Sequence, residues 1–194
     1  VEMGQGGHTG MPMMLVEELG GDWKRVKVLD APPAKVYNNP LFGQQSTVGS
    51  FSVRGWYVEL RNLGATAREM LVAAAAKQWN VPAAECTAAN SVITHAKSGR
   101  KVTFGSVAAS AAYLPMPEKP KLKGNAEFKL IGTSPPRVDV PEKTDGSAVY
   151  GIDVRLPNML YGAIRQSPSL SGKFKSVDDS AARAMKGYHS TVTL

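Results

Sequence analysis

Two short segments hold the residues of this sequence that are best suited to binding an anion. Residues 1–9 read VEMGQGGHT, and residues 46–52 read STVGSFS. Glycine permits positive φ and close backbone approach, so consecutive N–H groups can converge on an anion. Thr47, Ser50 and Ser52 offer more hydroxyls than one helix cap requires. If each segment opens a helix, the two helix ends also attract negative charge. The pattern predicts an anionic ligand, with plain turns and helix caps as the alternative.

The sequence has none of the common catalytic or metal-binding patterns. The first segment lacks the Gly-Lys-Ser/Thr of a phosphate-binding loop and the glycine spacing of a dinucleotide fingerprint. The three histidines are far apart without ligand spacing, and the single Cys86 excludes a CxxC site and an internal disulfide. The adjacent acids Glu17 and Glu18 are expected to point apart rather than to share a proton. We therefore assign no catalytic residue and no metal ligand from these patterns.

Composition excludes several classes of protein. The chain has 194 residues, of which 43% are hydrophobic and 20% are charged, with a formal net charge of +7. These values are typical of a globular protein. Its one basic cluster, Lys119, Lys121 and Lys123, lies among prolines without the aromatic interleaving of nucleic-acid binders. We predict no nucleic-acid partner and, because no apolar run is long enough, no transmembrane segment. The chain opens without an initiator methionine or a visible leader, which favours a trimmed product or a piece of a longer polypeptide.

Hydrophobic periodicity predicts an α+β fold. The clearest signal is a long amphipathic helix over residues 52–80. Before it we expect a helix capped by Thr9 and ended by Gly20 and Gly21, a short strand at residues 26–28 and a long ordered loop over residues 30–45. After it we expect a hairpin over residues 91–104, with its turn at residues 97–100, and an alanine-rich helix at residues 105–113.

A proline- and lysine-rich stretch predicts a division into domains. We place a cofactor-contacting segment at residues 1–115, a semi-rigid linker at residues 116–134 and a second domain at residues 135–194. Beyond residue 123, extended patterns and turn signals predict five strands and one short helix. The strands are predicted at residues 128–131, 148–154, 160–166, 173–177 and 189–194, and the helix at residues 181–185.

Three segments together resemble one known family. Residues 1–9 are similar to the pterin-binding segment of the molybdenum hydroxylases, the xanthine dehydrogenase and aldehyde oxidoreductase superfamily. Residues 47–52 resemble the second cofactor segment of that family. Residues 145–194 resemble the opening of its a/b-hammerhead domain, notably at residues 145–162, which read DGSAVYGIDVRLPNMLYG. The cofactor segment comes first here, as in the large subunits of isoquinoline 1-oxidoreductase and related periplasmic aldehyde dehydrogenases. The resemblance therefore implies a molybdopterin-binding segment followed by part of a hammerhead domain.

The resemblance also implies a cofactor and the residues that would hold it. The cofactor is Mo-molybdopterin, in bacteria commonly the cytosine dinucleotide form, shared with segments that this sequence lacks. In the first segment the residues along the pterin and phosphate path would be Met3, Gly4, Gln5 and Gly6. In the second segment Gly49 would lie near the metal, and Ser50 and Ser52 would contact the cofactor phosphates. The full set of cofactor-binding residues in this segment is Thr47, Gly49, Ser50, Phe51 and Ser52.

The implied reaction is hydroxylation of aldehydes or N-heterocycles with oxygen derived from water. Electrons would leave through iron–sulfur clusters on a small partner subunit, with a cytochrome c as a further acceptor. The family's catalytic glutamate and its phenylalanine-containing glycine-rich loop lie in segments that this chain lacks, so the chain alone is expected to be inactive. The resemblance favours the periplasm over the cytoplasm. The rival hypothesis is a non-enzymatic basic α+β module that binds a protein partner and whose loops only cap helices.

Overall fold

A computed structural model describes residues 2–194 and confirms the α+β class, because helices accompany a small antiparallel sheet. The chain divides into two compact units. The first comprises the described residues up to Ala148, and the second comprises Val149–Leu194. The predicted domain limits, at residues 115 and 134, stay a prediction. Among the described residues, no helix has both the length and the apolar character that crossing a membrane requires.

Helix α1 spans Gly7–Leu19 and ends where the sequence predicts. Gly20 adopts a φ of 72°, and its N–H bonds to the carbonyls of Val16 and Glu17. The predicted cap by Thr9 is wrong. The helix begins earlier because Gly6, at a φ of 87°, turns the chain into it. Thr9 is buried inside the helix, where its Oγ1 accepts the N–H of Val138 at 3.1 Å.

Helix α2 spans Phe51–Trp79 and confirms the long predicted helix. Its C-cap, Asn80, adopts the left-handed conformation and returns its N–H to the last turn. Helices α1 and α2 lie against each other at Gly64. A Cβ at this position would collide with the carbonyl oxygen of Leu15 and lie 2.9 Å from the Cβ of Glu18. The missing side chain therefore permits the close approach of the two helices.

Three short strands form the sheet: β1 (Cys86–Ala89), β2 (Val92–His95) and β3 (Lys101–Thr103), paired antiparallel in that order. Strands β2 and β3 confirm the predicted hairpin. Strand β1 was not predicted, because its sequence CTAA lacks an alternating apolar pattern. Helix α3 spans Phe104–Ala111 and confirms the alanine-rich helix, with the side chain of Thr103 as its cap. Ile93 and Val107 are fully buried against the alanines of α2, which form the core of this unit.

The two adjacent acids of α1 point apart, as predicted, although different groups of Lys123 contact each of them. The carboxylate of Glu18 binds Arg61 and Arg68 of α2, whereas that of Glu17 binds the ammonium of Lys123. Both carboxylates are buried, with side-chain exposures of 0% and 1%. Glu17 also accepts the backbone N–H groups of residues 129–131 at 2.6–3.1 Å. These two residues attach the segment after residue 120 to the helix pair.

Several predicted strands are wrong, and in the first unit the reason is visible. Residues 128–131 do not pair with a strand because the carboxylate of Glu17 takes three of their N–H groups. Residues 26–28 are irregular and follow a 3-10 turn at Trp23–Arg25. The loop over residues 30–45 is confirmed as mostly irregular, with a 3-10 turn at Lys35–Tyr37. Helix α4, Val140–Asp145, was not predicted.

The second unit has little regular structure. Helix α5, Ser180–Arg183, confirms the predicted short helix. The strands predicted at residues 148–154, 160–166, 173–177 and 189–194 are wrong, since no strand occurs among the described residues after Thr103. A strand requires a hydrogen-bonded neighbour and a face to bury. Here the apolar side chains stay in water, as shown by Ile152 at 84% exposure and Ile164 at 73%. The partial hammerhead domain stays a prediction.

Candidate cofactor-binding pocket

A pocket of about 480 Å³ lies between α1, α2 and the long loop that precedes α2. Its size suits one small organic molecule. The walls are mainly apolar, and polar groups lie where the loop and the two helix N-termini meet. The apolar lining includes Met11, Pro12, Leu15, Val28, Trp56 and Leu60. The polar lining includes Glu2, Gln5, His8, Asp30, Asn39, Gln45, Ser46 and Ser52.

The pocket brings the two predicted segments together. Gln5 from the first and Ser52 from the second both line it, and the Oγ of Ser52 lies 3.5 Å from the Oγ1 of Thr47. On the loop side, Nε2 of His8 lies 2.9 Å from Oδ1 of Asp30. The remaining predicted site residues lie beside the pocket in sequence but are not among its lining residues: Met3, Gly4, Gly6, Thr47, Gly49, Ser50 and Phe51.

The amides of the first segment converge on an anion, and that anion is the chain's own Glu2. Its carboxylate accepts the N–H groups of Gly4 at 2.7 Å, Gly6 at 3.2 Å and His8 at 2.9 Å. Burial raises the pKa of Glu2, but these hydrogen bonds outweigh it and hold the pKa below its usual value. Sequence reasoning missed this role of Glu2. The available signal was an acidic residue directly before the glycine-rich turn.

A second contact holds the same loop from outside. Arg137 donates to the carbonyl oxygen of Gly4 at 3.0 Å and grips the carboxylate of Asp139 with two nitrogens, at 2.9 and 2.6 Å. Lys143 contacts Asp139 at 2.6 Å. Arg137 and Lys143 hold the pKa of Asp139 far below its usual range. The sequence could not predict this contact, because Gly4 and Arg137 are 133 positions apart.

The ligand atoms of Glu2, His8 and Asp139 lie within 4.8 Å of one another, a spacing that a metal ion could bridge. The surroundings favour a different interpretation. Arg137 and Lys143 already balance the charge of Asp139, and backbone N–H groups already occupy the carboxylate of Glu2. We interpret the group as an ion-pair network that supports the loop.

The start of α2 differs from a simple hydroxyl cap. Its N-cap residue, Ser50, adopts a φ of 60°, and its side chain makes no capping hydrogen bond to the first turn. The ring of Phe51 lies over Gly49, where a Cβ would be 3.1 Å from the ring edge. The same ring packs edge-on against Phe42, with the two ring centroids 4.3 Å apart. The Cζ of Arg54 lies 4.7 Å from the centroid of the Phe51 ring. Phe51 thus fixes the turn, while Ser52 faces the pocket.

Comparison with known proteins gives one consistent family. Residues 1–155 match the molybdopterin cofactor-binding domain. The beta subunit of isoquinoline 1-oxidoreductase from Brevundimonas diminuta is 36% identical and aligns with 100% of this chain and 29% of its own length. A membrane-bound aldehyde dehydrogenase (pyrroloquinoline-quinone) from Gluconacetobacter polyoxogenes is 34% identical over 96% of this chain and 24% of its own. A nicotinate dehydrogenase subunit from Pseudomonas putida is 28% identical over 100% of this chain and 17% of its own. The chain therefore spans less than a third of these relatives.

Proposed function

The chain belongs to the molybdopterin cofactor-binding domain family of the molybdenum hydroxylases, and we propose that its pocket between α1 and α2 holds part of a Mo-molybdopterin cofactor. The observation that carries the proposal is the meeting of Gln5 and Ser52 in one pocket. These residues come from the two segments whose sequences resemble the family's cofactor segments.

The chemistry of the pocket fits a flat ring with a polar edge. Gln5 offers an amide that both donates and accepts, and Ser52 offers a hydroxyl. Leu15, Trp56 and Leu60 provide apolar surface for the faces of a ring. At about 480 Å³ the pocket suits a part of a dinucleotide cofactor rather than the whole. We propose that the cytosine dinucleotide form extends beyond it onto other segments of the enzyme.

The other predicted site residues receive supporting roles in this proposal. Met3, Gly4 and Gly6 shape the loop that carries Gln5. Thr47 lies against Ser52, and Phe51 fixes the turn at the start of α2. Gly49 and Ser50 supply the left-handed backbone of that turn. We propose that this second turn lies along the cofactor phosphates.

The complete protein is proposed to be an oxidoreductase that hydroxylates aldehydes or N-heterocycles with oxygen derived from water. The bound molybdenum cofactor supplies the redox chemistry. Two of the relatives are named as subunits, which supports assembly with further chains. We propose an iron–sulfur small subunit as the electron acceptor, a cytochrome c as the next one and the periplasm as the compartment. Residues 1–194 alone are proposed to be inactive. The alignments support this, because the chain covers less than a third of the length of each relative.

Elemental analysis tests the cofactor assignment. The complete polypeptide is purified with its iron–sulfur partner, and molybdenum is measured by mass spectrometry alongside the fluorescence of the oxidised pterin. Pyrroloquinoline quinone is assayed in parallel because one relative bears that name. Molybdenum and pterin in the active preparation support the proposal. An active preparation that lacks molybdenum, with or without the quinone, would refute it.

A double variant tests the pocket itself. We expect Gln5→Ala with Ser52→Ala to lose most of the bound cofactor while the protein stays folded. The matched control combines Gln78→Ala with Ser176→Ala, two exposed positions that are not among the lining residues of the pocket. Unchanged cofactor and activity in the first variant would support the rival hypothesis, a basic protein-interaction module. The rival hypothesis assumes that the serines of this loop cap a helix, but the side chain of Ser50 does not cap α2.

A further inference from the structure

The loop that carries Gln5 is held by an internal carboxylate. Glu2 accepts three backbone N–H groups, two of them from Gly4 and Gly6, which flank Gln5 on either side. Its side chain is 8% exposed, so the carboxylate lies inside the curve of the loop. The backbone of Gln5 is therefore fixed on both sides by one side chain.

We propose that Glu2 is a positioning residue for Gln5, and that the loop serves the pocket through the Gln5 side chain rather than through its backbone amides. This inference rests on the proposed function of the pocket. It differs from the interpretation that the glycine-rich sequence suggests on its own. Such a turn predicts backbone amides that are available to a ligand phosphate, whereas here they donate to Glu2.

The hydrogen bonds of Glu2 indicate that its carboxylate holds the loop permanently and does not merely occupy the amides until a ligand phosphate displaces it. A phosphate could reach these N–H groups only after three charge-assisted hydrogen bonds were broken and a buried carboxylate was moved. The side chain of Gln5 belongs to the same arrangement. Its Oε1 accepts the N–H of Met3 at 2.8 Å, and its Nε2 lies next to Gly7. The orientation of Gln5 thus follows the shape of the loop.

Charged groups on a distant segment reinforce the arrangement. Arg137 donates to the carbonyl of Gly4, and its Nη2 lies 4.0 Å from a carboxylate oxygen of Glu2. Asp139 holds Arg137 in place by two hydrogen bonds. The carboxylate of Glu2 therefore has both backbone amides and a fixed guanidinium close to it, a setting that stabilises its charged form.

The first test uses Glu2→Gln in the complete protein. The substitution keeps the shape but removes the charge and introduces an N–H donor among three others. We expect amide hydrogen exchange of Gly4, Gly6 and His8 to accelerate by about tenfold or more, and molybdenum content to fall by about tenfold, as for outer-shell partners of metal sites. The circular dichroism spectrum should match that of the control Glu142→Gln, an exposed carboxylate on α4, which shows that the variant still folds.

A double-mutant cycle separates positioning from a general structural role. If Glu2 acts through Gln5, then Glu2→Gln adds no further cofactor loss to Gln5→Ala. Additive losses would overturn the proposal, and so would unchanged exchange at the three amides. Tighter binding of inorganic pyrophosphate by Glu2→Gln than by the wild type would also overturn it, because the amides would then serve the phosphates. A wild-type protein without molybdenum would instead refute the proposed function, while hydrogen exchange still tests the loop.

Discussion

Arg61 of α2 and Glu18 of α1 form a two-point ion pair, with Nε at 2.8 Å and Nη2 at 2.7 Å from the same carboxylate oxygen. Arg68 lies 3.2 Å from the other oxygen, and the backbone N–H of Lys123 donates to the carboxylate as well. Glu18 follows Leu15 of the pocket wall by about one helical turn. The packing of the helices that form the pocket therefore depends on a buried charge network.

Removal of Glu18 should be strongly destabilising. Glu18→Ala leaves two arginines, with 12% and 16% side-chain exposure, without their carboxylate. We expect a loss of about 3–5 kcal/mol in the free energy of unfolding, the usual result of breaking a buried pair from one side. Urea denaturation followed by circular dichroism measures it. The control Glu59→Ala, at an exposed position of α2, should change stability by less than about 0.5 kcal/mol. Equal effects of the two variants would contradict the inferred role of Glu18.

Glu17 should make stability depend on acid pH. Burial raises the pKa of Glu17, but its hydrogen bonds with Lys123 and the N–H groups of residues 129–131 outweigh burial and hold the pKa below its usual value. Since the folded state lowers this pKa, the stabilisation is present above the pKa of the unfolded chain. It is lost as the pH falls through the pKa of the folded state. Urea midpoints between pH 7 and pH 3 should fall for the wild type and fall less for Glu17→Gln. Parallel curves would show that Glu17 contributes nothing to this dependence.

Local patterns in the sequence identified the elements that bury an apolar stripe. Helix α2 and the β2–β3 hairpin follow from periodicity and turn residues, and the end of α1 follows from Gly20. The preference for threonine caps did not predict the start of α1 correctly, because Gly6 is the N-cap residue and the helix begins before Thr9. Residues 128–131 have a strand-like composition, yet a buried carboxylate more than a hundred positions away takes their N–H groups. Such tertiary contacts leave no local signal.

The candidate site divides in the same way. The two segments were recognisable by residue type and by family resemblance, and the structure brings Gln5 and Ser52 into one pocket. The sequence did not reveal that Glu2 occupies the amides of the first segment, or that Arg137 holds the loop from a distant position. Both facts depend on side chains meeting in three dimensions. Whether the remaining predicted residues contact a cofactor stays a prediction.

The contact of α1 and α2 at Gly64 gives a third prediction. Gly64→Ala introduces a Cβ that collides with the carbonyl of Leu15, so the helices must move apart. We expect a loss of about 1–3 kcal/mol in the free energy of unfolding, as for other overpacked sites. Gly105→Ala is the matched control, since it lies in α3 with no atom within 4 Å of the new Cβ. That control should gain about 0.5–1 kcal/mol because alanine is the better helix former. A neutral Gly64→Ala would mean that the helices are not in close contact there.

The irregular second unit gives the last prediction. The sequence predicts a strand at residues 160–166, but the structure shows no strand there and leaves Leu160, Tyr161 and Ile164 at 63–76% exposure. Amide protons of this segment should exchange within about tenfold of the intrinsic rate, because local opening there costs almost no free energy. The amide of Ile93, in the middle strand of the sheet and fully buried, should be strongly protected and serves as the internal reference. The measurement is hydrogen exchange by nuclear magnetic resonance near neutral pH. Protection at alternate residues of 160–166 would instead indicate a paired edge strand, as the sequence pattern predicts.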